Sequence, residues 1–183
     1  MRFNKDLAMR CFAENPPGSD SRSVADYWLS LWKGDELPLR ADFKPRNISD
    51  QLPVISIFEV IPDKSIHCRL HGSVLAQGFG EDITGKDWLA LTPSAERSTR
   101  LQRWSDVARG AIGRGLRVGR RESGEPQYSE EMMLPFGEVG ADGARQVLYH
   151  LSWRQTNYDP TVLNRSARNG LSVEFRLTDL RAV

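Results

Sequence analysis

VISIFEVI, residues 54–61, is an almost continuous, largely β-branched apolar run held between Pro53 and the turn formers Pro62 and Asp63. A short apolar run bounded by turn formers on both sides reads as a central strand. Immediately beyond it, residues 65–70 alternate Ile66, Cys68 and Leu70 with His67 and Arg69, the period of a second strand. A tight Pro-Asp-Lys turn joins the two, so this stretch predicts a β-hairpin, and the rest of the chain is placed around it.

Downstream, residues 72–91 are punctuated by Gly72, Gly78, Gly80 and Gly85, which permits short helical turns at 73–77 and 86–91 but no strand. Thr92 and Pro93 then supply an N-cap and a first-turn proline for a long helix over 92–112. Its apolar residues Leu101, Trp104, Val107, Ala108, Ala111 and Ile112 share one side until Gly113 and Gly115. Three strands follow, at 116–122, 128–136 and 145–154. The second puts Tyr128, Met132, Leu134 and Phe136 on one face. The third puts Val147, Tyr149, Leu151 and Trp153 on one face and Leu148, His150 and Ser152 on the other. Residues 157–170 read as loop, and 171–177 as an extra strand or a short arm.

Upstream, Val24, Tyr27, Trp28, Leu31 and Trp32 recur at helical spacing behind a Ser23/Asp26 capping box, giving an amphipathic helix over 23–33 with an aromatic face. Residues 14–22 concentrate turn formers, so residues 1–22 are expected as a flexible arm. The divisions are therefore 1–22 arm, 23–155 domain, and 156–183 C-terminal extension.

Lys and Arg number 25 against 24 Asp and Glu, so bulk charge offers no general attraction for nucleic acid. At 39% hydrophobic residues the chain carries enough apolar material for a core, which excludes wholesale disorder. Two cysteines, Cys11 and Cys68, exclude a disulfide scaffold and cannot alone make a four-ligand zinc site. The N-terminus lacks the apolar run of a signal peptide and no later stretch is long enough to span a bilayer, so a cytoplasmic, soluble protein is expected.

Hairpin, short helices, long helix and three strands make an α+β unit with an antiparallel sheet and helices on one face. Trp28 with Leu31, LPLRADFKP at 37–45, QLP at 51–53, RLHGS at 69–73 and FGEDITGK at 79–86 together resemble an alphaproteobacterial PAS-like family that was long described only as a domain of unknown function. The resemblance spans roughly residues 23–155. It implies a PAS-like five-stranded antiparallel sheet of order 2-1-5-4-3 and a sensory or regulatory module that contacts a regulatory protein, with a small-molecule ligand as a further occupant. It also implies a homodimer packed through the N-terminal helix, where Tyr27, Trp28, Leu31 and Trp32 offer more aromatic surface than one short helix hides.

No cofactor is expected. PAS domains that hold haem anchor it from the helical region, and residues 72–115 contain no His or Cys. The flavin-binding relatives use a reactive cysteine in an Asn-Cys-Arg type of turn, and the sequence has none. Cys68 is expected as a buried, inert thiol, and no metal site is expected from three scattered histidines. G-x-S-x-G, H-E-x-x-H and P-loop motifs are absent, so no catalytic residues are expected, and Glu130 and Glu131 read as solvated charge on opposite faces of a strand. The candidate pocket consists of Arg69, His71, Trp88, Leu101, Trp104, Met132 and Tyr149, with side chains expected to fill it. Eight arginines (97, 100, 103, 109, 114, 117, 120 and 121) lie between 97 and 121 beside one acid, Asp106. This cluster reads as cross-strand pairs of Arg117 and Arg121 with Glu130 or Glu131, or as an anion or acidic-partner surface through Arg100, Arg103 and Arg109. The competing classes are a small-molecule enzyme on a cone-shaped sheet, which needs a carboxylate or His on the pocket side, and a nucleic-acid binder, which needs aromatics interleaved with the arginines.

Overall fold

The computed structural model describes residues 2–14, 16–120, 126–140, 142–153 and 174–181. Two helices, α1 (Lys5–Glu14) and α2 (Ser19–Ser30), precede 3-10 turns at Arg40–Asp42 and Pro45–Val54. The hairpin β1 (Ile55–Ile61) and β2 (Ser65–His71) follows, then α3 (Ser73–Phe79), a 3-10 turn at Ser94–Glu96, and α4 (Arg97–Ala108). Strands β3 (Ala111–Arg120), β4 (Pro126–Pro135), β5 (Arg145–Trp153) and β6 (Glu174–Asp179) complete a sheet of order β2-β1-β5-β4-β3-β6. Every ladder is antiparallel, as expected, and β6 is added beside β3. The expected 157–170 loop and residues 121–125 lie outside the described residues. No helix among the described residues is long and apolar enough to cross a membrane.

The sheet is covered on both faces. Under α3 and α4 lie Phe58, Val60, Leu75, Trp88, Trp104, Met133, Val147 and Tyr149. Against α1 and α2 lie Ile55, Ile57, Met132, Leu134 and Leu148. Residues 1–22 are not an arm: Phe3, Ala8 and Phe12 enter this second core. A bridge from Phe3 to Arg181 and a hydrogen bond from the Asn4 amide to the Leu180 carbonyl fasten them beside β6. Turn formers at 16–18 merely separate two helices, because the apolar face that α1 needs is supplied from the far end of the chain.

The helix expected over 92–112 is shorter. Thr92 does not cap it; its buried hydroxyl donates to the Trp88 carbonyl at 2.7 Å. At the other end Gly110 adopts φ +114° with the Phe3 ring against its Cα, where a Cβ would lie 2.2 Å from a ring carbon. Only glycine fits there. The chain turns extended immediately, so Ala111 and Ile112 belong to β3, paired with Asp179 and Thr178.

A β-bulge alters β2. Ile57 opposes Leu70 while Phe58 opposes Cys68, leaving Arg69 as the extra residue and inverting the alternation beyond it. Leu70 is consequently 43% exposed, and Arg69 points outward to pair with Glu59 at 2.5 Å. His71 turns inward instead.

Candidate functional site

The face beneath α4 is built around Phe58 on central strand β1. Trp88 and Trp104 approach it edge-on, each with ring centroids 4.6 Å away. Tyr149 from β5 stacks on Trp104 at 5.8 Å, and Phe79 from α3 meets Trp88 at 5.6 Å. Trp88 is held in place by its backbone. The 85–88 segment runs along β2, the Cys68 amide donating to the Lys86 carbonyl at 3.1 Å and the Trp88 amide to the Ile66 carbonyl at 2.8 Å. The same contacts cover an edge strand that would otherwise expose unpaired backbone groups. Each ring pair adds about 0.5–1.5 kcal/mol beyond area burial, so this box is a rigid centre.

A charged cluster closes one end of the box. The Tyr149 hydroxyl donates to Glu131 Oε2 at 3.2 Å and accepts from Arg117 Nη1 at 3.3 Å. Arg100, buried on the inner side of α4, lies 5.1 Å above the Trp88 ring. Burial and the Glu131 charge hold the Tyr149 hydroxyl above its ordinary range. Burial, with the neighbouring Arg117 charge, pulls Arg100 down to about 10. Burial works against the charge of Arg117 too, but Tyr149 and Glu131 outweigh it and raise its pKa. Two guanidiniums are thus set against Glu131 and, acting on both of them, the nearby Glu96 carboxylate, within a low-dielectric face.

Several expected site residues move. Trp88, Trp104 and Tyr149 converge, and half-buried Leu101 packs beside them. Met132 does not. It opposes His150 in the ladder and faces α1 and α2, whereas Met133 opposes Tyr149 and joins the box. Arg69 is outside, as above. His71 reaches the margin, its Nδ1 lying 2.8 Å from Ser56 Oγ and its ring edge-on to Phe79 at 5.3 Å. Cys68 is buried and its thiol is pushed up to about 12 by burial, the inert state expected. Glu130 and Glu131 are not solvated: they are 4% and 5% exposed. They do take opposite faces, with Glu130 paired to Arg114 at 2.8 Å and also accepting from the Gly18 amide at 3.0 Å. Arg121 lies outside the described residues.

The proposed dimer surface is interior. Trp28 is 0% and Trp32 6% exposed, packed edge-to-face at 5.4 Å. The Trp28 indole donates to the Pro135 carbonyl at 3.1 Å. Tyr27 and Leu31 are partly buried against the same core. The aromatic surplus that argued for a homodimer through this helix is used within one chain. On the same side His150 is fully buried, Nδ1 lying 3.4 Å from Ser21 Oγ and Nε2 3.4 Å from Gln51 Oε1.

Burial lowers His150 and His71 to about 4, despite the opposing fields of Asp20 and Glu130 on the first and of Asp82 on the second. Both are neutral in the folded state, while the unfolded chain takes up protons below about 6.5. Their stabilisation is complete above that pH and is lost as pH falls toward 4, at about 1.4 kcal/mol per unit for each group. Urea midpoints should therefore fall steadily between roughly pH 6.5 and 4.5, and His150→Gln should flatten the slope. An unchanged slope would show that His150 is solvated.

Of the arginines expected to make an acidic-partner surface, Arg100 is interior and Arg109 is engaged by Asp63 and Asp106. Arg103 faces an open groove between α4 and β6 with a volume of about 490 Å³. Phe58 and Phe79 are the site residues that sequence reasoning missed; Arg117 and Glu131 were expected as a cross-strand pair but not as part of the site, and the Tyr149 hydroxyl links them. The parity of VISIFEVI carries a signal for Phe58 alone, since Phe58 and Val60 share a strand face.

The family model described as PAS domain matches residues 18–147. The crystal structure of the PAS domain of an HTR-like protein from Haloarcula marismortui is 14% identical, covering 59% of this chain and 93% of that chain at a TM-score of 0.34. No curated protein matches the chain.

Proposed function

The chain belongs to the PAS domain family and is in general terms a sensory or regulatory module; we propose that it is a non-enzymatic cytoplasmic module that passes signals through contact with a regulatory protein. The observation that carries this reading is the filled face beneath α4, where Phe58, Trp88, Trp104 and Tyr149 touch one another at centroid distances of 4.6–6.0 Å. A ligand-gated sensor or an enzyme of this architecture needs displaceable volume at that place. The enzyme alternative also needs a pocket-side carboxylate or histidine. Glu131 is buried and already accepts the Tyr149 hydroxyl, so it serves as internal charge, and His71 stands at the margin with its Nδ1 beside Ser56 Oγ. The nucleic-acid alternative is weakened by the interior placement of Arg100 and Trp104.

One observation favours a small polar ligand as a second reading. Trp88 Nε1 and His71 Nε2 are buried on this side without a hydrogen-bond partner among the described residues, and buried polar nitrogens of this kind are normally satisfied. Native mass spectrometry of freshly purified protein separates the two. Protein alone, at the chain mass or a multiple of it, is the expected result. A small molecule retained at stoichiometric level would overturn the filled-core reading.

A further inference from the structure

The groove between α4 and β6 opens beside the aromatic box, against whose core Phe175 packs, and its lining is apolar at Phe175 and at Leu177, which is 41% exposed. Arg103 projects over the Phe175 ring, with its guanidinium carbon 4.3 Å from the ring centroid. That stacking holds the guanidinium in place while its in-plane donors stay available. No carboxylate among the described residues lies within ion-pair distance of it. Asp106, the acid in the groove, is already taken up by the Gln102 amide at 3.0 and 3.1 Å and by Arg109 at 3.8 Å. Among the described residues lining the groove, the free charge is thus a single, pre-positioned cation next to exposed aliphatic surface.

We propose that this groove docks an acidic peptide segment of the regulatory partner, one carboxylate meeting Arg103 and an adjacent aliphatic side chain resting on Leu177 and Phe175. The proposal rests on the protein-contact reading above and gives it a surface. A carboxylate completes the bidentate geometry that a planar guanidinium offers, and pre-positioning by Phe175 lowers the ordering cost of forming that pair. The exposed hydroxyl-bearing residues Ser98 and Thr99 line the same groove and suit the polar backbone of an extended segment. A stacked base is a poor fit, because the Phe175 face it would use carries Arg103.

Random peptides displayed on phage and selected on the immobilised full chain test this directly. The expected consensus is an acid beside Leu, Ile, Val or Met. The selected peptide, labelled and titrated by fluorescence polarisation, should bind Arg103→Glu and Leu177→Lys at least tenfold more weakly, about 1.4 kcal/mol. Arg46→Glu, an exposed site elsewhere, should leave binding unchanged. Should Arg103→Glu not fold by circular dichroism, Arg103→Gln gives the same readout. A basic consensus, no enriched peptide, equal binding to the Arg103 and Leu177 variants, or competition by a single-stranded oligonucleotide would each overturn the proposal. Peptides that bind a different surface would sink the groove and leave the protein-contact reading standing. A small molecule retained in the native mass spectrum would sink that reading while the peptide titration still judged the groove.

Discussion

Removal of residues 1–33 should abolish folding. Phe3, Phe12, Val24, Trp28 and Trp32 are buried in one cluster with Ile55, Ile57, Met132, Leu134 and Leu148 of β1, β4 and β5. At about 1.5–3 kcal/mol for each large apolar side chain taken out of water, the segment contributes on the order of 10 kcal/mol. That is comparable with the whole stability of a typical domain, about 5–15 kcal/mol. The polar losses add to this. His150 would lose Ser21, Glu130 would lose the Gly18 amide, and Pro135 would lose the Trp28 indole. The truncated chain should show collapsed amide dispersion in a proton–nitrogen NMR spectrum and should bind an apolar dye. A well-dispersed spectrum from the truncated chain would mean that α1 and α2 are an appendage after all.

What the residues disclose and what they conceal follows from how far apart the interacting parts lie. β1 is legible because its β-branched run and bounding turns are local, and α2 because Trp28 and Trp32 repeat at helical spacing. The N-terminal helix was concealed because the surface that buries Phe3 and Phe12 includes Leu180, at the opposite end of the chain. Arg69 was misplaced because a bulge inserts one residue without any change in composition, and a period-two reading carries on through it. Met132 and Met133 illustrate the same problem across strands. Each strand's alternation is visible, but which face of β4 matches which face of β5 depends on register, and Met133 opposite Tyr149 is set by pairing that no single strand encodes. Cross-strand pairing of the glutamates with arginines was legible from their blocks of opposite charge, but their burial and the particular partners were not: Arg114 serves Glu130, and Arg117 with Arg100 surrounds Glu131 and Tyr149. In the arginine cluster, helical and strand periodicity did not reveal that Phe175, far along the chain, sits beneath Arg103.

Glu131→Gln should be among the most damaging single substitutions in the chain, although it changes almost no volume. The carboxylate is buried with Arg117, Arg100 and Tyr149. The Arg117 charge already contributes to lowering Arg100 to about 10, so the two guanidiniums repel and Glu131 compensates them. Taking away one member of a buried charged set leaves the others desolvated and uncompensated, at a cost of about 3–5 kcal/mol. Glu96 remains near both arginines and recovers part of that, so the lower half of the range is expected. Adding Arg117→Met to Glu131→Gln removes the stranded charge and should restore stability relative to the single variant, a sign opposite to additivity. Tyr149→Phe, which deletes only the hydroxyl between Arg117 and Glu131, should cost less, about 1–2 kcal/mol. Urea unfolding at neutral pH with an unchanged denaturant slope reads all three. A Glu131→Gln chain within about 1 kcal/mol of the parent would show that the carboxylate is uncharged or hydrated. The face beneath α4 would then be open to water, and the reading of this domain as a filled, contact-driven module would fall with it.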